Sequence, residues 1–259
     1  METVYSGVGA LFAPEKSMET QRRLLFLSVA GIIVVLAAMF FVGRYIVVRT
    51  VQPAVVKALN ENPSQPGPIS NRDLSSGNFE RVNVEGGWDI TIEQAASQSV
   101  HVQSPSALSA DVIAEVHGGQ LTLGFRHGVN MSSERLTAQV RTPDLKRVTV
   151  RGGSRIRISG FSASELALDI AGAGNIEGVD NVLDTLSVQG AGASLIDFRS
   201  SRTRSARVNL DGAGSVALTM EGGTLSGNLN GIGTIDYSGS VSAENVKING
   251  LGSVRQTGK

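Results

Sequence analysis

The sequence contains no cysteine, and this absence excludes a disulfide-stabilised scaffold, thiolate metal sites and thiol catalysis. Its three histidines limit histidine-based chemistry. The 23 basic and 23 acidic residues leave no net charge, but a hydrophobic content of 41% excludes a disordered chain. Glycine, in contrast, is abundant at 31 residues and lacks the Gly-x-y period of collagen. The arrangement of these glycines therefore says more about the fold than the composition does.

An uncharged apolar run, LLFLSVAGIIVVLAAMFFVG, occupies residues 24–43. Twenty helical residues span about 30 Å, the thickness of the hydrocarbon core of a bilayer. A cleaved signal peptide has a shorter apolar region, so we predict a retained transmembrane anchor that follows a short tail at 1–23. Equal numbers of basic residues flank the run, so the positive-inside rule does not decide the orientation of the anchor. We expect a single-pass protein of the bacterial inner membrane, with a periplasmic or extracellular C-terminal domain.

Residues 44–75 contain four prolines among Asn, Ser and Gln, which is typical of a semi-extended tether. The remaining residues, 76–259, have no long helical period and form the predicted β domain.

A strong internal repeat occupies the C-terminal half of the chain. Its five copies are LALDIAGAGNIEG (166–178), LSVQGAGASLID (186–197), VNLDGAGSVAL (208–218), GNLNGIGTIDY (227–237) and VKINGLGSVRQ (246–256). The first glycines of successive copies are 18, 22, 19 and 19 residues apart. Short strands with glycine turns at a period near 20 residues predict a parallel β-helix.

Each copy carries a pair of glycines that we interpret as structural turns, since a sharp corner needs a positive φ or no Cβ. The pairs are Gly172 and Gly174, Gly190 and Gly192, Gly212 and Gly214, Gly231 and Gly233, and Gly250 and Gly252. Apolar residues alternate before each pair and should face the core. The residues expected to point inward again after the turn are Ile176, Leu195, Val216, Ile235 and Val254.

The segment before the repeats resembles a known family. Phe79–Gln94, Val100–Val102 and Gly119–Leu123 resemble the opening of the auto-transporter adhesin head GIN domain family, and the step Thr142–Leu145 with the glycine-paired coils follows in the family's order. The resemblance covers about 79–259. It implies an all-β fold, a right-handed, pectin-lyase-like parallel β-helix on the bacterial cell envelope, and a role in adhesion. The family assigns no catalytic residues, so none is transferred.

When the copies are aligned on their first glycines, a catalytic site would appear as acidic residues at equivalent positions of neighbouring copies. Polysaccharide-cleaving enzymes of this architecture place carboxylates in neighbouring coils. The aligned positions hold no adjacent pair of acids, and the Gly-x-Gly pairs lack the third glycine and the helix of a dinucleotide site. We therefore predict no enzyme, no catalytic residue, no metal site and no cofactor. Of the histidines, His101 should face solvent, and Trp88 should pack at the start of the β-helix.

The zero net charge hides segregated bands along the chain. Residues 126–157 are strongly basic. The charged residues of 158–198 are all acidic, and a cluster of arginines follows at 199–207. These bands predict a surface for an anionic partner such as an acidic glycan or lipid headgroups. The candidate residues are Arg126, Arg141, Lys146, Arg147, Arg151, Arg155, Arg157, Arg199, Arg202, Arg204 and Arg207.

Two functions remain open from the sequence. The first is a non-enzymatic, membrane-anchored envelope protein that presents a rigid β-helix for adhesion or for binding glycans, lipids or proteins. The second is a structural scaffold that assembles end to end through uncapped β-helix ends, as a homo-oligomer. A carbohydrate-active enzyme is a weaker third alternative. No nucleic-acid partner is expected, because the anchor would place the domain outside the cell.

Overall fold

The computed structural model describes residues 68–74, 77–126 and 136–258. The chain divides into two compact units, Met1–Gln65 and Pro66–Lys259, and all described residues lie in the second. They form β-strands and one short 3₁₀-helix, Ser106–Leu108. The strands are β1 (Ile69–Leu74), β2 (Arg81–Glu85), β3 (Trp88–Gln94), β4 (Ser99–Pro105), β5 (Val112–His117), β6 (Gln120–Phe125), β7 (Leu136–Thr142), β8 (Arg147–Ser159), β9 (Ser162–Glu221), β10 (Thr224–Ser240) and β11 (Ala243–Gln256).

The strands follow from the alternation of apolar and polar residues. In β3, Trp88, Ile90 and Ile92 are buried, while Asp89 and Thr91 between them are half-exposed. Successive side chains of a strand point to opposite faces, so this pattern buries one face and leaves the other in water.

All eleven strands belong to one sheet that mixes antiparallel and parallel ladders. The first part of the sheet has the order β1-β4-β7-β3-β8-β2-β6-β5, and β9, β10 and β11 continue it from β8. The ladders β1–β4, β4–β7 and β5–β6 are antiparallel. The ladders from β8 through β9 and β10 to β11 are parallel and in register.

The strand β9 is 60 residues long and cannot be a single straight strand. Its residues 167–179 pair with β8 and its residues 206–221 pair with β10. Segments of β9 that are 20 residues apart also contact each other, since the backbone N–H of Asn181 donates to Oγ of Ser201 over 3.2 Å. Each segment of about 20 residues therefore lies beside the next one, and the chain bends at glycines with positive φ.

These ladders correct the predicted fold class. A right-handed, pectin-lyase-like parallel β-helix requires a uniform run of parallel coils, but the sheet begins with the antiparallel strands β1, β4, β5 and their partners. The prediction of such a solenoid is wrong as a description of the fold. The fold is all-β and is built on one mixed sheet.

No helix within the described residues is long and apolar enough to cross a membrane. The anchor predicted at 24–43 and the tail predicted at 1–23 lie outside those residues, and residues 69–74 of the predicted tether form β1. The prediction of a fold with one N-terminal transmembrane helix is therefore wrong for the structure as described. The predicted single-pass location in the bacterial inner membrane depends on the same helix, and this prediction is wrong as well.

One hydrophobic core runs through the described strands from Phe79 to Tyr237. It contains a buried polar node at Asn181, which is 1% exposed. Oδ1 of Asn181 accepts from the backbone N–H of Phe161 over 3.0 Å, and Nδ2 donates to the carbonyl of Ile158 over 3.0 Å and to Oγ of Ser201 over 2.9 Å. Because its hydrogen-bonding groups are satisfied, this asparagine fixes the backbone of three neighbouring segments rather than destabilising the core.

Candidate binding face

Six glycines from successive segments align at one edge of the repeat and form what we call the glycine column. Its members are Gly152, Gly172, Gly192, Gly212, Gly231 and Gly250, all with positive φ. A Cβ on Gly172 would lie 2.6 Å from the carbonyl oxygen of Gly152, and a Cβ on Gly152 would lie 2.8 Å from that of Gly86. The column therefore needs glycine both for its backbone angles and for the close approach of neighbouring segments.

The observed register differs from the one inferred from the glycine pairs. Gly192, and not Gly190, stacks on Gly172, so the spacing is 20 residues there rather than 18. As a result Ile196 points into the core, and Leu195, which we expected inside, is 51% exposed.

Gly190 has a different role from its predicted turn. It occupies the inward position that Ile170 and Leu210 fill in the neighbouring segments, and a Cβ there would lie 2.8 Å from both Oγ of Ser194 and Cδ2 of Leu210. In the preceding segment the large residue is at the first of these two positions, where Ile170 takes the place of Gly190, and Gly174 takes the place of Ser194. A Cβ on Gly174 would lie 2.8 Å from Cγ2 of Ile170. Gly174 therefore makes room for the large inward residue Ile170, and Gly252 does the same for Leu229. Ser194 takes the position equivalent to Gly174 in the segment where the inward residue is Gly190.

On one side of the glycine column two rows of side chains face outward, and we call this surface the polar face. The outer row is Thr149, Asp169, Gln189, Asn209 and Asn228, and the inner row is Arg151, Ala171, Ala191, Asp211 and Asn230. Side chains at one end of the rows are linked: Nδ2 of Asn228 donates to Oδ1 of Asn209 over 3.0 Å, and Nδ2 of Asn230 donates to Oδ1 of Asp211 over 2.7 Å. This end of the polar face is therefore an ordered array of hydrogen-bonding groups.

A groove of about 780 Å³ lies on the polar face. Its floor includes the exposed side chains of Ala171 and Ala191, and Arg147 and Arg151 stand at one end. Nη1 of Arg151 is held by a 2.9 Å hydrogen bond to Oδ1 of Asn83. The groove therefore has an apolar floor and polar walls.

A second groove, of about 970 Å³, lies on the other side of the glycine column. It is lined mainly by glycine, alanine and serine, with Trp88 at one end. The Trp88 side chain is 2% exposed and its indole N–H donates to the carbonyl of Glu85 over 3.1 Å, so it packs in the structure and offers no stacking surface.

The predicted basic surface is largely neutralised by pairing between segments. Nine of its eleven residues form ion pairs: Arg141 with Glu93, Lys146 with Glu80, Arg147 with Asp169, Arg151 with Glu85, Arg155 with Asp89, Arg157 with Glu177, Arg199 with Asp197, Arg202 with Glu221 and Arg204 with Asp184. The hydrogen bond to Glu80 also raises the pKa of Lys146. Arg126 and Arg207 form no ion pair with any residue that the structure describes. The surface for an anionic partner stays a prediction, and most of its cations face a carboxylate in the folded protein.

The observed register brings Glu177 and Asp197 to equivalent positions of neighbouring segments, a pair that the glycine-based alignment missed. A constant step of 20 residues would have revealed it. Glu177 accepts a 2.7 Å hydrogen bond from Nη1 of Arg157, and the hydrogen bond from Arg199 lowers the pKa of Asp197. A general acid needs a raised pKa, so the lowered pKa of Asp197 does not suit that role, and Glu177 is engaged in an ion pair with Arg157.

The two histidines that the structure describes, His101 and His117, are each placed beside a different carboxylate. Nδ1 of His101 lies 2.6 Å from Oδ1 of Asp73, and Nε2 of His117 lies 3.4 Å from a carboxylate oxygen of Glu115, while His127 lies outside the described residues. Among the residues of 68–74, 77–126 and 136–258, no group of three or more His, Cys, Asp or Glu side chains is placed to hold a metal ion.

The last strand, β11, pairs with β10 on one edge, and no described residue pairs with its other edge. Ile248 and Leu251 of this strand are 41% and 75% exposed. End-to-end assembly through this edge stays a prediction.

The fold and its outward rows define a class of all-β protein in which a rigid repeat presents ordered side chains on a surface. The family described as "Putative auto-transporter adhesin, head GIN domain" matches residues 78–218. The chain belongs to this family, and the resemblance stated from the sequence is confirmed.

A solved structure with a TM-score above 0.5 shows the same fold at low sequence identity, and further solved structures are similar to this chain at lower scores. A "putative adhesin" from Bacteroides fragilis has a TM-score of 0.61 at 16% identity, covering 75% of this chain and 99% of that chain. A "putative adhesin" from Parabacteroides merdae has a TM-score of 0.48 at 16% identity, covering 74% of this chain and 97% of that one. A "putative lipid binding protein" from Parabacteroides distasonis has a TM-score of 0.46 at 19% identity, covering 74% and 98%. No curated protein matches the chain.

Proposed function

We propose that this protein is a non-enzymatic adhesion protein whose repeat presents a rigid binding surface to a partner outside the molecule. The observation that carries the proposal is the family match over residues 78–218, because the family's description is that of an adhesin domain. The description of the Bacteroides fragilis structure as a "putative adhesin" agrees with it.

The shape of the polar face supports a binding role. At one end its side chains are linked by hydrogen bonds, and the inner row continues to Asn249 of β11, whose Nδ2 donates to Oδ1 of Asn230 over 2.9 Å. A surface that is ordered before binding loses little conformational entropy when a partner binds, which favours affinity. A sheet that presents a polar side chain of the outer row in each segment can also contact a partner at several places at once.

The chemistry of the acidic residues supports a non-enzymatic role. The adjacent carboxylates Glu177 and Asp197 each face an arginine, at 2.7 Å for the pair of Glu177 with Arg157. The hydrogen bond from Arg199 lowers the pKa of Asp197, which favours the ionised form of this carboxyl and opposes its use as a general acid.

The test immobilises the full chain on beads and measures the adhesion of these beads to bacterial cells and to purified envelope glycans, lipids and proteins. We expect adhesion of the protein-coated beads above that of beads coated with an unrelated β protein, and no cleavage of any polysaccharide offered in solution. Equal adhesion of both bead types would contradict the adhesion role. Release of new reducing ends or unsaturated sugars would contradict the non-enzymatic one.

A further inference from the structure

We propose that the groove around Ala171 and Ala191 on the polar face binds an uncharged glycan. The inference rests on the proposed adhesion function and names the chemistry of its ligand. It departs from the anionic partner that the charged bands of the sequence suggest.

The size of the side chains in the inner row gives the groove its shape. Arg151 and Asp211 are longer side chains at either end, and the two residues between them, Ala171 and Ala191, are exposed and end at a methyl group. The groove of about 780 Å³ therefore has a flat apolar floor between polar ends. The C–H face of a sugar ring can lie on such a floor while its hydroxyls reach the walls.

The outer row supplies hydrogen-bonding groups of the right kind. Thr149, Gln189 and Asn209 line the groove, and each side chain can both donate and accept, as a sugar hydroxyl does. The amide of Gln189 is exposed, and Asn209 keeps its Nδ2 donor available because its Oδ1 is the atom that accepts from Asn228. Polar groups that repeat about every 4.8 Å from one segment to the next suit a polymer lying across the strands.

The four charged side chains that line the groove, Arg147, Arg151, Asp169 and Asp211, have no net charge. Arg147 is paired with Asp169, and Nη1 of Arg151 lies 3.7 Å from a carboxylate oxygen of Glu85. Asp211 adds a further carboxylate at the far end of the groove, where its Oδ1 accepts from Asn230. An acidic sugar would have to displace these pairs or approach Asp211, whereas a neutral sugar needs neither. The balance of charge therefore favours an uncharged ligand.

The test offers the full chain an array of neutral and acidic oligosaccharides, and measures the affinity for each retained probe at low and at high salt. We expect neutral probes to be retained, with an affinity that changes less than about twofold with salt, because no ion pair between protein and probe is screened. Retention of acidic probes alone, loss of binding at high salt, or failure to retain any probe would each overturn the proposal.

A pair of matched variants locates the site. Ala191→Tyr fills the floor of the groove, and we expect it to weaken neutral-glycan binding by about tenfold or more. The control is Ala193→Tyr, at an equally exposed alanine on the other side of Gly192, which should bind within about twofold of the wild type. Equal thermal unfolding of both variants confirms that they fold. Equal losses of binding, or a larger loss in Ala193→Tyr, would overturn the assignment of the groove.

The bead assay separates this inference from the proposed function. If wild-type beads adhere to cells and Ala191→Tyr beads adhere equally well, the glycan site is wrong while the adhesion role stands. If wild-type beads do not adhere at all, the adhesion role itself fails.

Discussion

The glycine column shows how a missing side chain sets the spacing of the repeat. At Gly192 the backbone has φ of 121°, in a region that L-residues with a side chain rarely adopt, and a Cβ there would meet the carbonyl oxygen of Gly172. Gly153, one residue after the column, has open space where its Cβ would lie. The two glycines are therefore under different constraints although they look alike in the sequence.

We expect Gly192→Ala to lower the free energy of unfolding by about 2 kcal/mol or more, from backbone strain and the contact with the neighbouring segment. The control Gly153→Ala should change it by less than about 0.5 kcal/mol, because alanine already occupies the equivalent positions 173, 193 and 213. Chemical denaturation of the two variants measures the difference. Equal effects would show that the column does not set the fold.

The ion pair of Asp197 gives the stability a dependence on pH. The hydrogen bond from Arg199 lowers the pKa of Asp197 in the folded state below that of the unfolded chain. A carboxylate with a lowered folded pKa contributes stability above the unfolded value, about 3.9, and loses that contribution as the pH falls through the folded pKa.

We therefore expect Asp197→Asn to unfold at a lower temperature than the wild type at neutral pH, and the gap between them to close as the pH falls below about 3.9. Thermal unfolding followed by circular dichroism at a series of pH values measures the gap. A gap that is independent of pH would mean that the interaction does not depend on the charge of Asp197.

Among the strands, β11 differs from the interior segments in having one unpaired edge within the described part of the sheet. An open edge can pair with another chain, and proteins commonly protect such edges with inward-pointing charges. Glu244 takes the register position that buried Leu225 and Ala206 occupy in the preceding segments. Its carboxylate accepts a 2.9 Å hydrogen bond from the hydroxyl of Tyr237, which raises the pKa of Tyr237. We infer that Glu244 restrains association through this edge.

The variant Glu244→Leu should therefore self-associate with increasing concentration, because it places an apolar side chain at the open end of the core. The control Glu244→Gln keeps a polar side chain and should behave like the wild type. Sedimentation velocity of the three proteins makes the comparison. A wild type that associates as strongly as Glu244→Leu would favour the end-to-end scaffold instead.

At the scale of the whole molecule, the burial of side chains decreases from the interior segments to the last strand. β8 and β9 bury residues in every repeat, whereas no residue of β11 is buried. Local opening costs least where few apolar contacts are broken.

We expect amide hydrogens of β11 to exchange faster than those of residues 167–221, measured by hydrogen–deuterium exchange of the full chain. The interior segments should stay protected until global unfolding, because each is paired on both sides. Uniform protection through β11 would show that its open edge is covered.

The resemblance and the repeat predicted the all-β class, the family and the glycine-rich corners, because these follow from short-range patterns that every segment repeats. The register was not predictable from the Gly-x-Gly pairs, since Gly190 and Gly192 differ in role only through their neighbours Leu210 and Gly172. The groove could not be predicted for the same reason. If Gly190 is aligned with Gly212, Ala191 is no longer at the position equivalent to Asp211, and the inner row is not recognised.

The sequence by itself determined which residues face the core in most segments and where the chain bends, because alternation and glycine act locally. Only the tertiary structure decided the mixed ladders at the start of the sheet, the 20-residue step across Gly172 and Gly192, and the charge of the surface. Charges that are separated along the chain, such as Arg157 and Glu177, lie 2.7 Å apart across neighbouring segments. Electrostatic interactions depend on distance in space, and for this reason cations and acids that are far apart in the sequence form ion pairs in the folded protein.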